Sequence, residues 1–121
     1  MKKLIATLAI AVVVMLGLAA CSSPADSIAV GADTVIVDVR TPAEYAAGHL
    51  DGAVNLDVQS ADFDSKLAEL PTDGEYVVYC QSGNRSAAAT ARMVDAGFSD
   101  VTDAGGMSDA AASTDIAIVA S

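Results

Sequence analysis

Basic residues are scarce in this chain of 121 residues, which has 6 lysines and arginines against 16 aspartates and glutamates and a formal net charge of -10. Binding to nucleic-acid phosphates requires clustered lysine and arginine, so this balance excludes nucleic acid as an expected partner. Tryptophan is absent, and there are only one histidine and two cysteines. These residues form no metal-binding motif, and we expect neither a metal nor another cofactor.

The first twenty residues are typical of an export signal. A positive start at residues 1–3 precedes an apolar stretch over 4–18 that is broken only by Thr7 and Gly17. This stretch of about 15 residues is shorter than the roughly 20 that a membrane-spanning helix needs. We therefore predict a secretory signal and favour it over a permanent transmembrane helix.

Leu18, Ala19, Ala20 and Cys21 resemble the bacterial lipobox, in which the signal is cleaved before a cysteine that is then acylated on sulfur. The resemblance implies a signal peptide over 1–20, a lipid-anchored Cys21 with a tether to residue 27, and one domain over 28–121. The protein would be exported and held on the outer face of a bacterial membrane. The alternative is an ordinary secretory signal with an unmodified Cys21. An acylated Cys21 cannot form a disulfide, so Cys80 would be a free thiol.

Strand and helix signals alternate along the rest of the chain. Buried strands are predicted at 35–37 and 76–79, and shorter strands at 54–56 and 101–103. Helices are predicted from Pro42 to the stop at Gly48, over 63–70 and over 86–96. Gly105 and Gly106 predict a tight turn, and residues 107–121 are weakly patterned. This order predicts an α/β fold in which a parallel sheet has helices on both faces.

Two of the helix ends carry specific capping signals. Thr41 can cap the first helix, with Glu44 three residues later, as in a capping box. Gly97 followed by Phe98 predicts a Schellman stop for the third helix, with Phe98 covering Met93. Because ligands of parallel sheets bind beyond the carboxyl ends of the strands, the residues that follow the strand at 76–79 are candidates for a site.

Residues 80–86 read Cys-Gln-Ser-Gly-Asn-Arg-Ser between that strand and a helix. A loop in this position can direct several backbone N–H groups toward an anion, and Gly83 permits the tight backbone path. The amides, the helix dipole and the Arg85 guanidinium all favour the thiolate of Cys80. Since a thiolate is a strong nucleophile, we expect Cys80 to be catalytic. The alternative is a small buried apolar residue at a strand end.

Two blocks of the sequence resemble the rhodanese-like sulfurtransferases. The first comprises Asp38-Val39-Arg40, Glu44-Tyr45 and the run Gly-His-Leu-Asp-Gly-Ala-Val-Asn at 48–55, and the second is the loop at 80–86. Gly105-Gly106 is a weaker third, and together they span residues 35–106. The resemblance implies the rhodanese fold, a three-layer α/β domain whose central, mostly parallel sheet has helices on both faces. It also implies that Cys80 cycles between thiolate and persulfide.

Carried over residue by residue, the resemblance makes Cys80 the nucleophile and turns Arg85 toward an anionic donor. The residues expected to bind substrate are Gln81, Ser82, Gly83, Asn84, Arg85 and Ser86. The residues expected mainly to hold the fold and the neighbouring loops are Asp38, Arg40, Glu44, His49 and Asn55. For His49 we favour this structural role over that of a general base, because it shares no pattern with Cys80.

The implied activity is sulfur transfer from thiosulfate, or a related small anionic donor, to cyanide or to a thiol, including that of a protein. Cysteine phosphatases typically place five residues between cysteine and arginine, whereas four separate Cys80 from Arg85, which favours sulfur over phosphoryl chemistry. Two other functions stay open: a non-catalytic carrier of sulfane sulfur or redox equivalents, and a binding module of the cell envelope with an unreactive Cys80.

Overall fold

The computed structural model describes residues 27–120. The predicted signal peptide, Cys21 and most of the tether lie outside this range. No helix in residues 27–120 has both the length and the apolar character of a membrane span. The elements follow in the order β1 (Val35–Asp38), α1 (Pro42–Ala47), β2 (His49–Leu50), β3 (Val54–Asn55), α2 (Phe63–Leu67), β4 (Tyr76–Cys80), α3 (Asn84–Asp95), β5 (Val101–Gly106), α4 (Met107–Thr114) and β6 (Ile118–Val119).

The main sheet has the order β3-β1-β4-β5, and all of its strands are parallel. The two central strands, β1 and β4, are covered on both faces. Strands buried in this way are short runs of mostly apolar residues, as these two are. Val37 of β1 lies opposite Val78 of β4, and the carboxyl ends of both strands meet at one edge of the sheet. A separate antiparallel pair joins β2 to β6.

Alternating side chains of the central strands enter two separate cores. On one face, Val78 and Cys80 pack with Phe63 of α2 and Met93 of α3. On the other face, Val77 and Tyr79 pack with residues of α4 and with Tyr45 of α1. The sheet is therefore the middle of three layers, and the predicted α/β fold with helices on both faces is confirmed. Cys80 belongs to the face covered by α2 and α3.

The local capping signals are confirmed. The Thr41 hydroxyl accepts from the Glu44 N–H, and the Glu44 carboxylate accepts from the Thr41 N–H, which is a complete capping box at the start of α1. At the end of α3 the N–H groups of Gly97 and Phe98 donate to the carbonyls of Val94 and Met93, the two hydrogen bonds of a Schellman motif.

Several predicted boundaries were wrong. The helix predicted over 63–70 ends at Leu67, and the chain reaches Leu70 through turns in which N–H groups donate three residues back. The helix predicted to begin at Ser86 begins at Asn84. The predicted strand at 101–103 extends to Gly106, so Gly105 and Gly106 are strand residues and not a tight turn. Pairing with β4, which sets Cys80 opposite Gly106, overrides the low strand preference of glycine.

Three elements were not predicted at all. β2 and β6 are two residues each, too short for an alternating pattern to show. The helix α4 is built from small residues, and only Ala110 and Thr114 of it are buried. Its weak amphipathic pattern explains why residues 107–121 predicted no element.

Candidate active site

Cys80 is the last residue of β4, and α3 begins four residues later at Asn84. Gly83 precedes the helix with φ of 109° and ψ of -19°, a left-handed conformation that favours glycine. Only residues 81–83 therefore form the loop between the two elements. Arg85 and Ser86, which were predicted in or at the end of a longer loop, lie in the first turn of α3, where helix N–H groups are free to bind an anion.

The Cys80 sulfur lies between the end of β4 and the start of α3. Cys80 is 1% exposed. The Gly83 N–H donates to Sγ at 2.9 Å, and Ser86 Oγ lies 3.5 Å from Sγ. Burial raises the pKa of the thiol, but the Ser86 hydroxyl and the backbone N–H groups of Ser86, Gly83 and Ser82 lower that pKa by more. The net pKa of Cys80 is below its ordinary value, so the geometry favours the thiolate nucleophile.

Ser86 is fully buried and has several hydrogen-bond partners beside the sulfur. Its Oγ lies 3.0 Å from the Gly83 carbonyl and 3.5 Å from that of Gly105. A hydroxyl rotates freely about its C–O bond, so Ser86 can accept from the thiol or donate to the thiolate. Ser86 therefore lies against the Cys80 sulfur and not on the exposed surface.

Gly106, at the end of β5, lies directly beneath the loop. Ser82 forms an isolated antiparallel bridge with it. A β-carbon added at Gly106 would lie 2.7 Å from the Gln81 carbonyl oxygen, closer than real β-carbons approach any atom. Only glycine allows the loop to pack this tightly against β5. Sequence reasoning missed this role, although the adjacent pair Gly105-Gly106 was a signal for it.

A buried ion pair supports the loop from the neighbouring strand. Arg40 is 2% exposed and Asp38 is fully buried. The Arg40 guanidinium donates to Asp38 over 2.7–3.1 Å and, through Nη1, to Gln81 Oε1 at 2.9 Å. The Tyr79 hydroxyl donates to the Asp38 carboxylate at 2.7 Å, and burial raises the pKa of this phenol. These hydrogen bonds link the buried Asp38–Arg40 pair to Gln81, the residue after Cys80.

Arg85 is paired with Glu44, across 41 residues of sequence. Its Nη1 and Nη2 donate to the two carboxylate oxygens of Glu44 at 2.7 Å and 3.0 Å. The Arg85 hydrogen bond, helped by the Thr41 N–H, lowers the pKa of Glu44 to about 2. Glu44 was expected mainly to hold the fold and the neighbouring loops, and Arg85 was expected to face a donor. The structure brings the two side chains together.

A family model described as rhodanese-like domain matches residues 25–112 of this chain. The chain belongs to the rhodanese family. Thiosulfate sulfurtransferase GlpE of Pseudomonas entomophila is similar to it, with 43% identity over 81 residues that cover 65% of this chain and 72% of GlpE. A sulfurtransferase of Allochromatium vinosum is 38% identical over 69 residues, which cover 57% of this chain and 63% of that protein.

Solved structures resemble this rhodanese in fold. A rhodanese with anions from E. coli aligns with a TM-score of 0.61 and 26% identity, over 73% of this chain and 99% of that one. A rhodanese-related protein from Thermoplasma volcanium aligns with a TM-score of 0.60 and 29% identity, over 72% of this chain and 84% of that one. Together with the sequence relatives, they identify the chain as a rhodanese-type sulfurtransferase.

The remaining residues of the predicted set lie away from the sulfur of this rhodanese. The Asn55 amide donates to the carbonyls of Asp38 at 3.0 Å and Arg40 at 2.9 Å, and so fixes the end of β1. His49 Nδ1 lies 2.8 Å from the Tyr45 carbonyl oxygen, and the two rings stack at 3.8 Å. Each of these contacts holds a turn of the first block and none reaches Cys80.

The six residues predicted to bind substrate, 81–86, differ in their exposure. Gln81, Ser82 and Asn84 are exposed, whereas Gly83 and Arg85 are half-buried and Ser86 is buried. Within residues 27–120, no group of three or more histidine, cysteine or acidic side chains could hold a metal ion. The groups beside the Cys80 sulfur are the Gly83 N–H and the Ser86 hydroxyl, and the Arg85–Glu44 pair lies at the start of α3.

Proposed function

We propose that this rhodanese transfers a sulfane sulfur from thiosulfate, or a related donor, to cyanide or to a thiol through a persulfide on Cys80. One observation carries the proposal: the environment of Cys80 Sγ. The sulfur accepts a 2.9 Å hydrogen bond from the Gly83 N–H at the start of α3, and its neighbours lower its pKa. The name of the GlpE relative supports thiosulfate as a donor.

The first step forms the persulfide. The Cys80 thiolate attacks the outer sulfur of thiosulfate, a new S–S bond forms, and the S–S bond of the donor breaks with its electron pair leaving on sulfite. The negative charge of the thiolate moves to the outer sulfur of the persulfide. Backbone N–H groups at the start of a helix stabilise such a charge without reorganising, as in an oxyanion hole.

The second step regenerates the enzyme. An acceptor thiolate or cyanide attacks the outer sulfur of the persulfide, and the Cys80 thiolate leaves. The N–H groups lower the pKa of Cys80, which makes its thiolate a better leaving group, so the same N–H groups assist both steps. Because Cys80 is 1% exposed, the acceptor must be small or must present its reacting atom on a narrow extension. Cyanide and the thiol of a flexible peptide both meet this requirement.

The activity is tested by measuring thiocyanate formed from thiosulfate and cyanide. Purified full-length protein is compared with Cys80→Ser and with Cys21→Ser, which makes the same atomic change at the other cysteine. We expect activity in the wild type and in Cys21→Ser and none in Cys80→Ser. Equal product from Cys80→Ser would contradict the proposal. A stable persulfide without turnover would favour the carrier, and an unreactive Cys80 would favour the binding module.

We also propose that Cys21 carries lipid and holds the domain on the outer face of a bacterial membrane. The lipobox-like residues 18–21 support this. The Ile28 N–H donates to the Ser113 carbonyl at 2.8 Å, so the chain is bound to the domain from that point. The intervening residues 22–27 reach at most about 20 Å, which would keep the domain near the bilayer.

Membrane fractionation tests the anchor. The wild type should sediment with membranes, and Cys21→Ser should be found in the soluble fraction. Mass spectrometry of the N-terminal peptide should show an acylated Cys21 as the first residue. An unmodified Cys21, or membrane association that is unchanged in Cys21→Ser, would contradict the anchor.

A further inference from the structure

Every lysine and arginine in the described part of the chain has an acidic partner. The pairs are Arg40–Asp38, Lys66–Asp62, Arg85–Glu44 and Arg92–Asp64. Among them, only Arg85 lies in the first turn of α3, next to the Cys80 loop. Within residues 27–120, Arg85 is also the basic residue nearest to Cys80 in sequence. Its positive charge is therefore paired with the Glu44 carboxylate before any substrate binds.

Glu44 is fixed in this pairing from both sides. Its Oε1 accepts from the Thr41 N–H and hydroxyl at 3.1 Å each and from Arg85 Nη1 at 2.7 Å, while Oε2 accepts from Arg85 Nη2 at 3.0 Å. The capping box thus anchors the carboxylate to α1 independently of Arg85. The two carboxylate oxygens accept one hydrogen bond from each terminal nitrogen of the guanidinium, so Glu44 already fills one of the two-point positions at which Arg85 can bind an anion.

A sulfur donor that approaches Arg85 therefore meets Glu44 as well. The charges of Glu44, Cys80 and Asp57 all act on Arg85, and the hydrogen bond to Glu44 is the largest of the influences that raise the pKa of Arg85. Three negatively charged groups therefore act on the Arg85 guanidinium. Repulsion by a fixed carboxylate grows in proportion to the charge of the donor.

We infer that Glu44 determines donor specificity, by favouring sulfur donors that carry one negative charge or none over dianionic thiosulfate. The inference rests on the proposed persulfide chemistry of Cys80. Organic persulfides, hydropolysulfides and thiosulfonates are donors of the favoured class. Thiosulfate remains a substrate but is used less efficiently than the same loop would allow without Glu44.

Two donors of matched chemistry isolate the charge. Thiosulfate has two negative charges and releases sulfite, whereas methanethiosulfonate has one and releases methanesulfinate. In each case the Cys80 thiolate attacks the terminal sulfur, the S–S bond of the donor breaks, and its electron pair leaves on the sulfinate or sulfite. Any change in the nucleophilicity of Cys80 affects both donors, so the ratio of their kcat/KM values reports the donor charge.

Glu44→Gln is the informative variant. Glutamine also completes a capping box, so the variant removes the charge and keeps the cap. Glu75→Gln makes the same change in net charge at the opposite edge of the sheet. At that edge the Glu75 carboxylate accepts from the Thr34 hydroxyl. Glu75 precedes Cys80 by five residues along β4, which corresponds to a distance of about 16 Å between the two residues.

We expect Glu44→Gln to raise the thiosulfate to methanethiosulfonate ratio of kcat/KM about five- to tenfold, as one nearby unit charge would. Glu75→Gln should leave the ratio within about twofold. Raising the ionic strength to about 0.5 M should also raise the ratio, and more in the wild type than in Glu44→Gln, because salt screens the repulsion by Glu44 in addition to that by the other acidic residues.

An unchanged ratio in Glu44→Gln, or an equal change in Glu75→Gln, would overturn the assignment while leaving the persulfide chemistry intact. A ratio in the wild type that does not rise with salt would also contradict it. Failure of both donors to form a persulfide on wild-type Cys80 would overturn the proposed function, and this inference with it. An absent rise in the wild-type salt series contradicts the assignment even if Glu44→Gln does not fold.

Discussion

Arg40 Nη1 lies 2.9 Å from Gln81 Oε1, and this hydrogen bond joins the buried Asp38–Arg40 ion pair to the residue that follows Cys80. The pair lies in β1 and just after it, whereas Gln81 begins the loop between β4 and α3. Because strands β1 and β4 are adjacent and parallel, the two segments end at the same edge of the sheet. The buried ion pair of the core thus helps to position the loop.

Removing Arg40 should destabilise the whole domain. Arg40→Met would leave the Asp38 carboxylate buried without its cation, which costs about 3–5 kcal/mol of unfolding free energy. Lys66→Met is the matched control, because Lys66 pairs with Asp62 at 3.7 Å and both side chains are about half exposed. Its loss should be under about 1 kcal/mol. Urea unfolding measures both, and equal losses would contradict a structural role of the buried pair.

Ser86 should help to set the pKa of Cys80. Ser86→Ala removes a hydroxyl 3.5 Å from the sulfur that lowers this pKa, so the pKa should rise toward that of a free thiol, about 8.5. The measurement is the pH dependence of iodoacetamide alkylation, whose midpoint should move to higher pH. Ser82→Ala, at an exposed loop residue, keeps its backbone N–H and should leave the midpoint unchanged. A midpoint unmoved in Ser86→Ala would exclude its hydroxyl as a partner of the thiolate.

Acid should weaken the Glu44–Arg85 pair over a defined range of pH. The pKa of Glu44 is lowered from 4.5 to about 2, so the pair contributes stability that is fully present above pH 4.5 and is lost as the pH falls toward 2. Since the carboxylate is 33% exposed, solvent limits this contribution to about 1 kcal/mol or less. The difference in unfolding free energy between wild type and Glu44→Gln should shrink from pH 5 to about 2. A difference that stays constant would contradict the assigned pKa shift.

Gly106→Ala should disturb the loop without removing any functional group. The added carbon would lie 2.7 Å from the Gln81 carbonyl oxygen, so the loop must move away from β5. We expect a loss of about 1–3 kcal/mol in stability and slower alkylation of Cys80. Gly31→Ala is the control, because the nearest atom to its added carbon is Thr34 Oγ1 at 3.8 Å. Normal alkylation in Gly106→Ala would show that the close packing of the loop is not required.

The parts of the fold that could be predicted were those with local signals. The capping box at Thr41, the Schellman motif at Gly97 and the strand that ends at Cys80 each depend on residues a few positions apart. The strands β2 and β6 have no such signal, because two residues show no periodicity. Gly105 and Gly106 predicted a turn because glycine favours turns, but pairing with β4 holds them in a strand.

The candidate site was predictable in its position and less so in its contacts. Cys80 and the helix start after it follow from the order of elements. The pairing of Arg85 with Glu44 spans 41 residues, and nothing in the sequence distinguishes that partner from a bound anion. The same holds for the Tyr79 hydroxyl on Asp38, which the strand pattern presents only as an aromatic core residue.

Transfer of a sulfur atom to Cys80 can be measured directly after digestion with trypsin. Cleavage after Lys66 and Arg85 releases residues 67–85, which contain Cys80 and not Cys21. Full-length protein is treated with thiosulfate or with methanethiosulfonate, alkylated with iodoacetamide and digested. We predict that this peptide gains one sulfur atom, about 32 Da, beyond the alkylated thiol. An alkylated peptide with no added sulfur after either donor would contradict persulfide formation at Cys80.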